Sequence, residues 1–480
     1  MKVKRIPMKL LPVALSVLFV SFSVAEPLDI GSRWELFVDE YLIASKKNVE
    51  LRLHKPERRE IVLVTDKPWE GPTCAYFSVV QDGSDVRLYY RGGGGGSDHS
   101  ASQLTCVAES RDGIHFTRPK LGIIEVNGSK ENNVVWKGVE SHNFAPFIDT
   151  NPDAKPEKRY KALGGVTAPG KNWQYGETAG GLYAFASADG IHWDKIRQEP
   201  VITKGAFDSQ NLAFYDTTRS RYACFSRIFT PENSLRAIQS SHSPDFLTWS
   251  EGIAHKYGEG VPMEHFYTSA TVPCPTAPHL FLSFPKRFKP ARKKVPEHPV
   301  NGVSDAIFMT SRNGVNWDRP FLEAWVRPGP DLKNWTDRSN MTACGIYDGG
   351  EGEWSLYISE HYRHPDNRIR RLTVRQQGFA SVHAGGSRGE FTTHPIKFDG
   401  DSLILNYATS AAGFVQIEIQ DEAGKPVPGY ALDDMPELFG DELDATVKWN
   451  SGTDLSQLRG KTIRLRVRMD DADLYALQFR

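Results

Sequence analysis

The sequence predicts an all-β fold, a five-bladed β-propeller followed by a C-terminal β-sandwich. Three observations predict it: a turn phrase that recurs along the chain, short β-type runs ahead of each copy, and the absence of long helical periodicity. The phrase reads Ser110-Arg111-Asp112-Gly113-Ile114-His115-Phe116, then Ser187-Ala188-Asp189-Gly190-Ile191-His192-Trp193, then Ser311-Arg312-Asn313-Gly314-Val315-Asn316-Trp317. A looser copy is Ser243-Pro244-Asp245-Phe246-Leu247-Thr248-Trp249, and a degraded fifth covers 375–379. Asp or Asn before Gly supplies the positive-φ conformations of a tight hairpin, and the aromatic residue folds back over the strands. Each copy therefore marks a strand-to-strand turn.

Two further strands are expected ahead of each copy. They are 76–80 with 86–91, 144–149 with 160–163, 212–216 with 222–227, 267–272 with 279–284, and 343–347 with 354–359. Five units of about four strands make propeller blades, here over residues 26–373. The segment 34–43 reads as an extra strand that joins the last blade and closes the ring. From Thr373 the texture changes to alternating strands at 396–398, 402–407, 415–420, 445–449, 462–469 and 474–479, separated by turns such as Asp399-Gly400-Asp401. This predicts a β-sandwich accessory domain over 374–480 that buttresses the propeller.

With 58 basic against 59 acidic residues the net charge is -1, so no overall field exists to hold nucleic acid. Residues 1–25 carry Lys2, Lys4, Arg5 and Lys9, then the apolar run Leu10 to Val20, then Ser23-Val24-Ala25, the layout of a cleavable signal peptide. The expected location is secreted or periplasmic, with no membrane contact after cleavage. The five cysteines show no CxxC or CxH spacing, so neither a zinc site nor a redox motif is expected. Cys74 and Cys106 either pair across one blade or, like the others, fill small apolar spaces. No metal and no cofactor is expected: His361 and His364 read as hydrogen-bonded strand-end histidines, and Gly92 to Gly96 as a flexible rim without the Lys of a phosphate loop.

The repeated Ser-x-Asp-Gly-x-x-Trp turn, five units of this length and a signal peptide together resemble the five-bladed propeller superfamily of glycoside hydrolases, families 32, 43, 62, 68 and 130. The phrases Leu36-Phe37-Val38-Asp39-Glu40-Tyr41-Leu42-Ile43, Pro68-Trp69-Glu70-Gly71 and Phe207-Asp208-Ser209-Gln210-Asn211 are most similar to secreted planctomycete-type proteins related to family 32 or 43. The acid-bearing phrases of family 32 itself are missing.

In a propeller the residues leading into each innermost strand surround the mouth of the channel. There the sequence places one carboxylate per unit: Glu70, Glu140, Asp208, Glu264 and Asp337. Glycosidic hydrolysis needs two carboxyl groups, one to protonate the leaving oxygen and one to activate water or attack carbon. The resemblance implies Glu70 as base, Glu140 as modulator and Asp208 as acid, with Glu264 a substrate contact or alternative acid; turn-capping or solvated carboxylates are the competing reading. Substrate contacts are expected from Trp69 as an apolar platform and from His142, Asn143, Gln210, Asn211, His265, Tyr267 and Asp337. Arg227, Arg287 and Arg338, with the stretch Lys286 to Lys294, either contact an anionic glycan carrying sulfate or uronate groups or form a solvated basic surface. The expected partner is a poly- or oligosaccharide. The leading function is a glycoside hydrolase; the alternatives are a non-catalytic glycan-binding propeller and, behind it, a lyase or phosphorylase.

Overall fold

A computed structural model of the chain describes residues 26–93, 103–166 and 181–480. The expected signal peptide and most of the glycine rim lie outside them. Among the described residues there is no α-helix, only strands and short 3-10 turns, and no helix long and apolar enough to cross a membrane.

The strands follow one another in antiparallel sheets along the chain. Sheet I holds Ala75–Asp82, Asp85–Gly92, Leu104–Ser110 and Val134–Lys137. Sheet II holds Ala145–Ile148, Tyr160–Gly164, Tyr183–Ser187 and Asp194–Lys195. Sheet III holds Leu212–Asp216, Arg221–Phe229, Arg236–Ser243 and Ile253–Ala254. The next unit is split into Val272–Cys274, Ala277–Ser283 and Met309–Ser311, and, beside them, His265–Phe266, Lys286–Lys289 and Val303–Ala306. Sheet V holds Tyr347–Asp348, Glu353–Glu360 and Arg368–Arg375, and its outer strand is the early segment Glu57–Val64. The leading segments of all five units, among them Val79, Ala145, Leu212, Thr271 and Cys344, line one axial cavity of about 240 Å³. Hydrophobic clusters fill the wedges between neighbouring sheets: Tyr89, Phe144, Phe185 and Trp193 between I and II, and Phe214, Phe225, Phe281 and Trp317 between III and the split unit. Apolar side chains on both faces of each sheet are what that radial stacking requires.

The recurring phrase is the turn it was read to be. Ser110 Oγ donates to Asp112 Oδ1 at 2.9 Å and accepts from the Gly113 amide at 3.0 Å. Asp112 Oδ1 in turn accepts from the amides of Ile114 and His115 at 2.9 and 2.8 Å. The same bonds recur at Asp189 and Asp245, and Asn313 repeats the amide pair. The closing Trp donates its indole N–H back to the carbonyl of Gly190, Phe246 or Gly314. Gly113, Gly190 and Gly314 adopt φ of 68°, 75° and 77°, and Phe246 takes the same conformation at 68° because its ring is wholly buried in the adjoining core.

Two expectations are corrected. The segment 34–43 does not join the last sheet: Glu35–Leu36 pairs with Ile463–Phe479, and Ile43–Lys47 pairs with Gly389–Thr393. The strand that completes the ring is Glu57–Val64, held by the fully buried Glu360, which takes Arg368 and Arg370 at 2.8 Å each and also Arg58 from the incoming strand. The C-terminal strands likewise combine with Leu28–Gly31, Glu35–Leu36, Ile43–Lys47 and Glu50–Leu53 into one ten-stranded sheet around its own core. The separate strands expected at 402–407 and 415–420 are one strand, Leu403–Asp421, and those at 462–469 and 474–479 are one strand, Ile463–Phe479. Their pairing shifts register between Thr409 and Phe414, opposite Asp471 at φ 40°, so an irregularity bends the strands where a turn was expected. Cys74 and Cys106 are buried free thiols in one core and are not bonded to each other.

Candidate functional site

The segments that lead into the innermost strands converge on one mouth, and side-chain amides fix them there. Asn143 donates to the carbonyls of Gly165 and Phe207 at 2.8 and 2.6 Å, tying the second unit to the third. Gln210 donates to Phe77 O at 2.8 Å and Ser78 Oγ at 3.1 Å, reaching the first unit, and Asn211 bonds the carbonyls of Phe207 and Ser209 in its own loop. These three residues were expected to meet sugar hydroxyls; their N–H groups are spent on backbone carbonyls and Ser78, where leaving a buried carbonyl unmatched is costly, while Gln210 Oε1 and Asn211 Oδ1 have no partner among the described residues. Tyr76, Asn340, His361 and Arg363 hold left-handed φ of 56°, 62°, 59° and 69°. Such conformations cost ~1–3 kcal/mol each and gather where the fold overrides local preference to aim side chains.

At the centre stands Asp208. His142, from the 3-10 turn Val139–His142, places Nε2 2.8 Å from Asp208 Oδ1. The Tyr76 hydroxyl lies 3.5 Å from the same oxygen, and Arg227 Nη2 lies 3.9 Å from Oδ2. Burial pushes the Asp208 carboxyl up, but the His142 hydrogen bond and the charges of Arg227 and Arg338 outweigh it and hold the group well below the usual carboxylate range. Asp208 is therefore ionised. Burial lowers His142 to about 4 against the opposing pull of Asp208, so at neutral pH the imidazole is neutral. The Asp208 carboxylate only accepts, so Nε2 carries the proton of that bond, while Nδ1 lies 2.8 Å from the Gln103 side-chain amide and 3.5 Å from Arg91 Nη1. Burial, then Tyr267 and Asp208, keep the Tyr76 phenol protonated.

Cations dominate the rest of the mouth. The Tyr267 ring has Lys286 Nζ 3.9 Å from its centroid, with the guanidinium carbons of Arg227, Arg236 and Arg338 at 4.9, 5.3 and 5.5 Å. Arg91 sits 4.9 Å over the Tyr76 ring and bonds the Tyr362 hydroxyl, which also accepts from Arg338. Asp337 is the second buried carboxylate here, 3.4 Å from Arg363, 3.6 Å from Arg338 and 3.7 Å from His298. Lys286 is wholly buried and donates to the Asp337 carbonyl at 3.1 Å; burial and the nearby arginines lower its pKa well below the ordinary lysine value.

The other expected acids stand apart, each with its own cations. Glu70 is fully buried and clasped by Arg118 through Nε at 2.7 Å and Nη2 at 2.9 Å, with the Tyr90 hydroxyl and the Lys67 amide completing its shell. Glu140 accepts from the Trp136 indole at 3.2 Å and pairs with Lys195 at 2.5 Å. Glu264 is shared by Lys289, Arg319 and Arg287, and those partners lower its pKa against burial. All three are structural ion pairs in this geometry. Trp69 is half-buried, packs against the sheet I core and gives its N–H to Asn133 at 2.7 Å. His265 accepts the Arg236 amide, and Arg287 pairs with Asp305. His361 bonds Asp331 and Asp366 at 2.7 and 2.9 Å, as a hydrogen-bonded histidine does.

The structure thus brings together Asp208, His142, Tyr267, Arg227, Asp337 and Arg338 of the expected residues. It draws Lys286 from the basic stretch and adds Tyr76, Arg91, Arg236, Tyr362 and Arg363. Tyr76 carried a readable signal, because it begins an expected strand; Arg91, Tyr362 and Arg363 reach the mouth from strand ends on the far side of their hairpins.

No protein-family model matches the chain, and no curated protein does. Similar solved structures include a glycoside hydrolase, 11% identical with TM-score 0.46, the match covering 67% of this chain and 92% of that one. Another is an N-acetylgalactosamine deacetylase from F. plautii in complex with blood group B trisaccharide, 13% identical with TM-score 0.44, covering 68% and 96%. A protein of unknown function from Dyadobacter fermentans is 12% identical with TM-score 0.38 and covers 90% and 99%.

Proposed function

We propose that this chain is an exported glycan-active enzyme, a glycosidase that seats a negatively charged sugar unit at the axial mouth with Asp208 as its reacting carboxylate. The observation that carries the reading is the Asp208 environment: one ionised carboxylate, ordered by His142 and Tyr76 and ringed by cations where the leading segments converge. Asp208 is kept charged, so it suits the part that attacks carbon, and not the proton-donor part that chain order implied. The protonated hydroxyl beside it belongs to Tyr76. Arg227 and Arg338 supply charge for a carboxylate or sulfate on the sugar. The motif resemblance to secreted propeller glycosidases supports the same reading.

A second reading, a glycan-binding protein without turnover, is favoured by the ion pairs that immobilise Glu70 and Glu140. Asp208→Asn separates the two. The enzymatic reading expects release of reducing sugar from acidic polysaccharides to fall by about 10²–10⁴-fold at a temperature where the variant is still folded. Undiminished release in this variant would remove Asp208 from the chemistry, and oligosaccharide binding without turnover in the parent protein would establish the second reading.

A further inference from the structure

We propose a second carbohydrate subsite, for an acidic sugar residue, in the cleft beside the axial mouth bounded by Lys286–Lys289 and residues 323–335. The idea rests on the glycan-active reading above and extends it to the length and charge of the substrate.

The cleft encloses about 470 Å³, room for a monosaccharide unit or two. Its walls follow from strand alternation. In Lys286–Lys289, Lys286 and Phe288 turn toward Tyr267, so Arg287 and Lys289 face the cleft on the opposite side. Arg292 and Arg327 complete the basic lining, with Trp335 at its back and Glu323 its unpaired acid. Arg287 is committed to Asp305, and Lys289 to Glu264. Arg292 and Arg327 are exposed and form no ion pair among the described residues, which leaves the cleft with free positive charge. The Trp335 indole is held by a 2.8 Å bond to the Gly329 carbonyl and is only half-buried. At the rim, Leu322 and Leu332 are large apolar side chains left 47% and 58% exposed.

An aromatic wall, apolar rim and two free guanidinium groups match a sugar ring, which has one apolar face and here carries a carboxylate or sulfate. The cleft also shares its wall with the axis. Trp335 lies two residues before Asp337, and Ser304, which lines the cleft, donates to the carbonyls of Asp337 and Ser339.

The test uses the full chain carrying Asp208→Asn, so that bound sugars persist, and titration calorimetry with three probes: hexagalacturonate, a sulfated galactan hexasaccharide and cellohexaose. The acidic hexamers are expected to bind at least about 10-fold tighter than cellohexaose, and the better of the two identifies carboxylate or sulfate as the recognised group. Adding Arg292→Gln with Arg327→Gln should weaken the acidic hexamer about 10-fold and flatten its salt dependence; both side chains are exposed, so folding is not at stake. Trp335→Ala should weaken all hexamers, while Trp335→Phe retains binding. Unchanged affinity in the double glutamine variant, or cellohexaose binding as tightly as the acidic hexamers, overturns the proposal. If the glutamine pair abolishes binding while the parent chain cleaves nothing, the subsite stands and the enzymatic reading falls.

Discussion

Replacing Arg118 by methionine asks what the Glu70 carboxylate is for. Glu70 is fully buried, and two of the four hydrogen bonds it accepts come from Arg118. Arg118→Met strands that charge with one amide and one phenol, and removing one partner of a buried ion pair costs ~3–5 kcal/mol. Glu70→Gln takes the charge out of the interior instead. Arg118 is then left 16% exposed, still 3.4 Å from Asp66 and still bonded to the Val64 carbonyl, so the loss is nearer ~1–3 kcal/mol. The double variant should cost clearly less than the two single losses added, because no stranded carboxylate remains. At ~2–4 °C per kcal/mol for a cooperative unit of ~150–250 residues, Arg118→Met lowers the melting midpoint by ~6–20 °C, and Glu70→Gln by less. Tryptophan fluorescence and far-UV melts measure the shifts, and turnover is assayed where every variant is folded. A Glu70→Gln protein that melts with the parent yet loses turnover refutes the reasoning, because the carboxylate would then be serving the substrate and not Arg118.

Three further outcomes are expected. His255 lies against the Trp317 ring at 4.9 Å, and burial holds its pKa down to about 3. Its folded pKa is depressed, so its contribution is present above the unfolded value of ~6.5 and is lost as pH falls toward 3; His255→Phe should therefore shrink the drop in melting midpoint between pH 7 and 4.5, and an unchanged drop contradicts this. Asp208 is likewise depressed, so the acid limb of kcat/KM should lie below the ~4 of an ordinary carboxylate, and a limb centred above ~5 would assign the titration to another group. Gly190 has φ 75°, and an added Cβ would come within 2.6 Å of Arg87 Nη1 and the Tyr89 hydroxyl, whereas at Gly83, φ 60°, it meets nothing within 4 Å. Gly190→Ala should thus lose ~1–3 kcal/mol more than Gly83→Ala in urea titrations; equal losses would show that backbone strain alone decides both.

The turn phrase made the sheets legible because its chemistry is local: serine, aspartate and the closing aromatic bond only within their own hairpin. The mouth was legible in part. Asp208, His142 and Tyr267 precede or begin innermost strands, as simple order along the chain suggests, and so do Glu70 and Glu140. What separates the two groups is invisible in one dimension. Glu70 is neutralised by Arg118, 48 positions away, and Glu140 by Lys195 from the outer strand of its sheet. Counting acids ahead of strands cannot reveal which of them already has a partner. The N-terminal segment misled for a related reason: 34–43 has the alternation of a strand, but alternation says nothing about which edge it meets.

The path of the first forty described residues has a consequence for how the molecule is made. Glu35–Leu36 rests on Ile463–Phe479, which is synthesised long after it, while Glu57–Val64 seals the ring against Arg368–Arg375. These early strands cannot settle until Ile463–Phe479 has emerged. The two modules are thus braided, and a protein cut after residue 373 would leave four early strands without most of their neighbours, a ragged edge open to pairing with other chains.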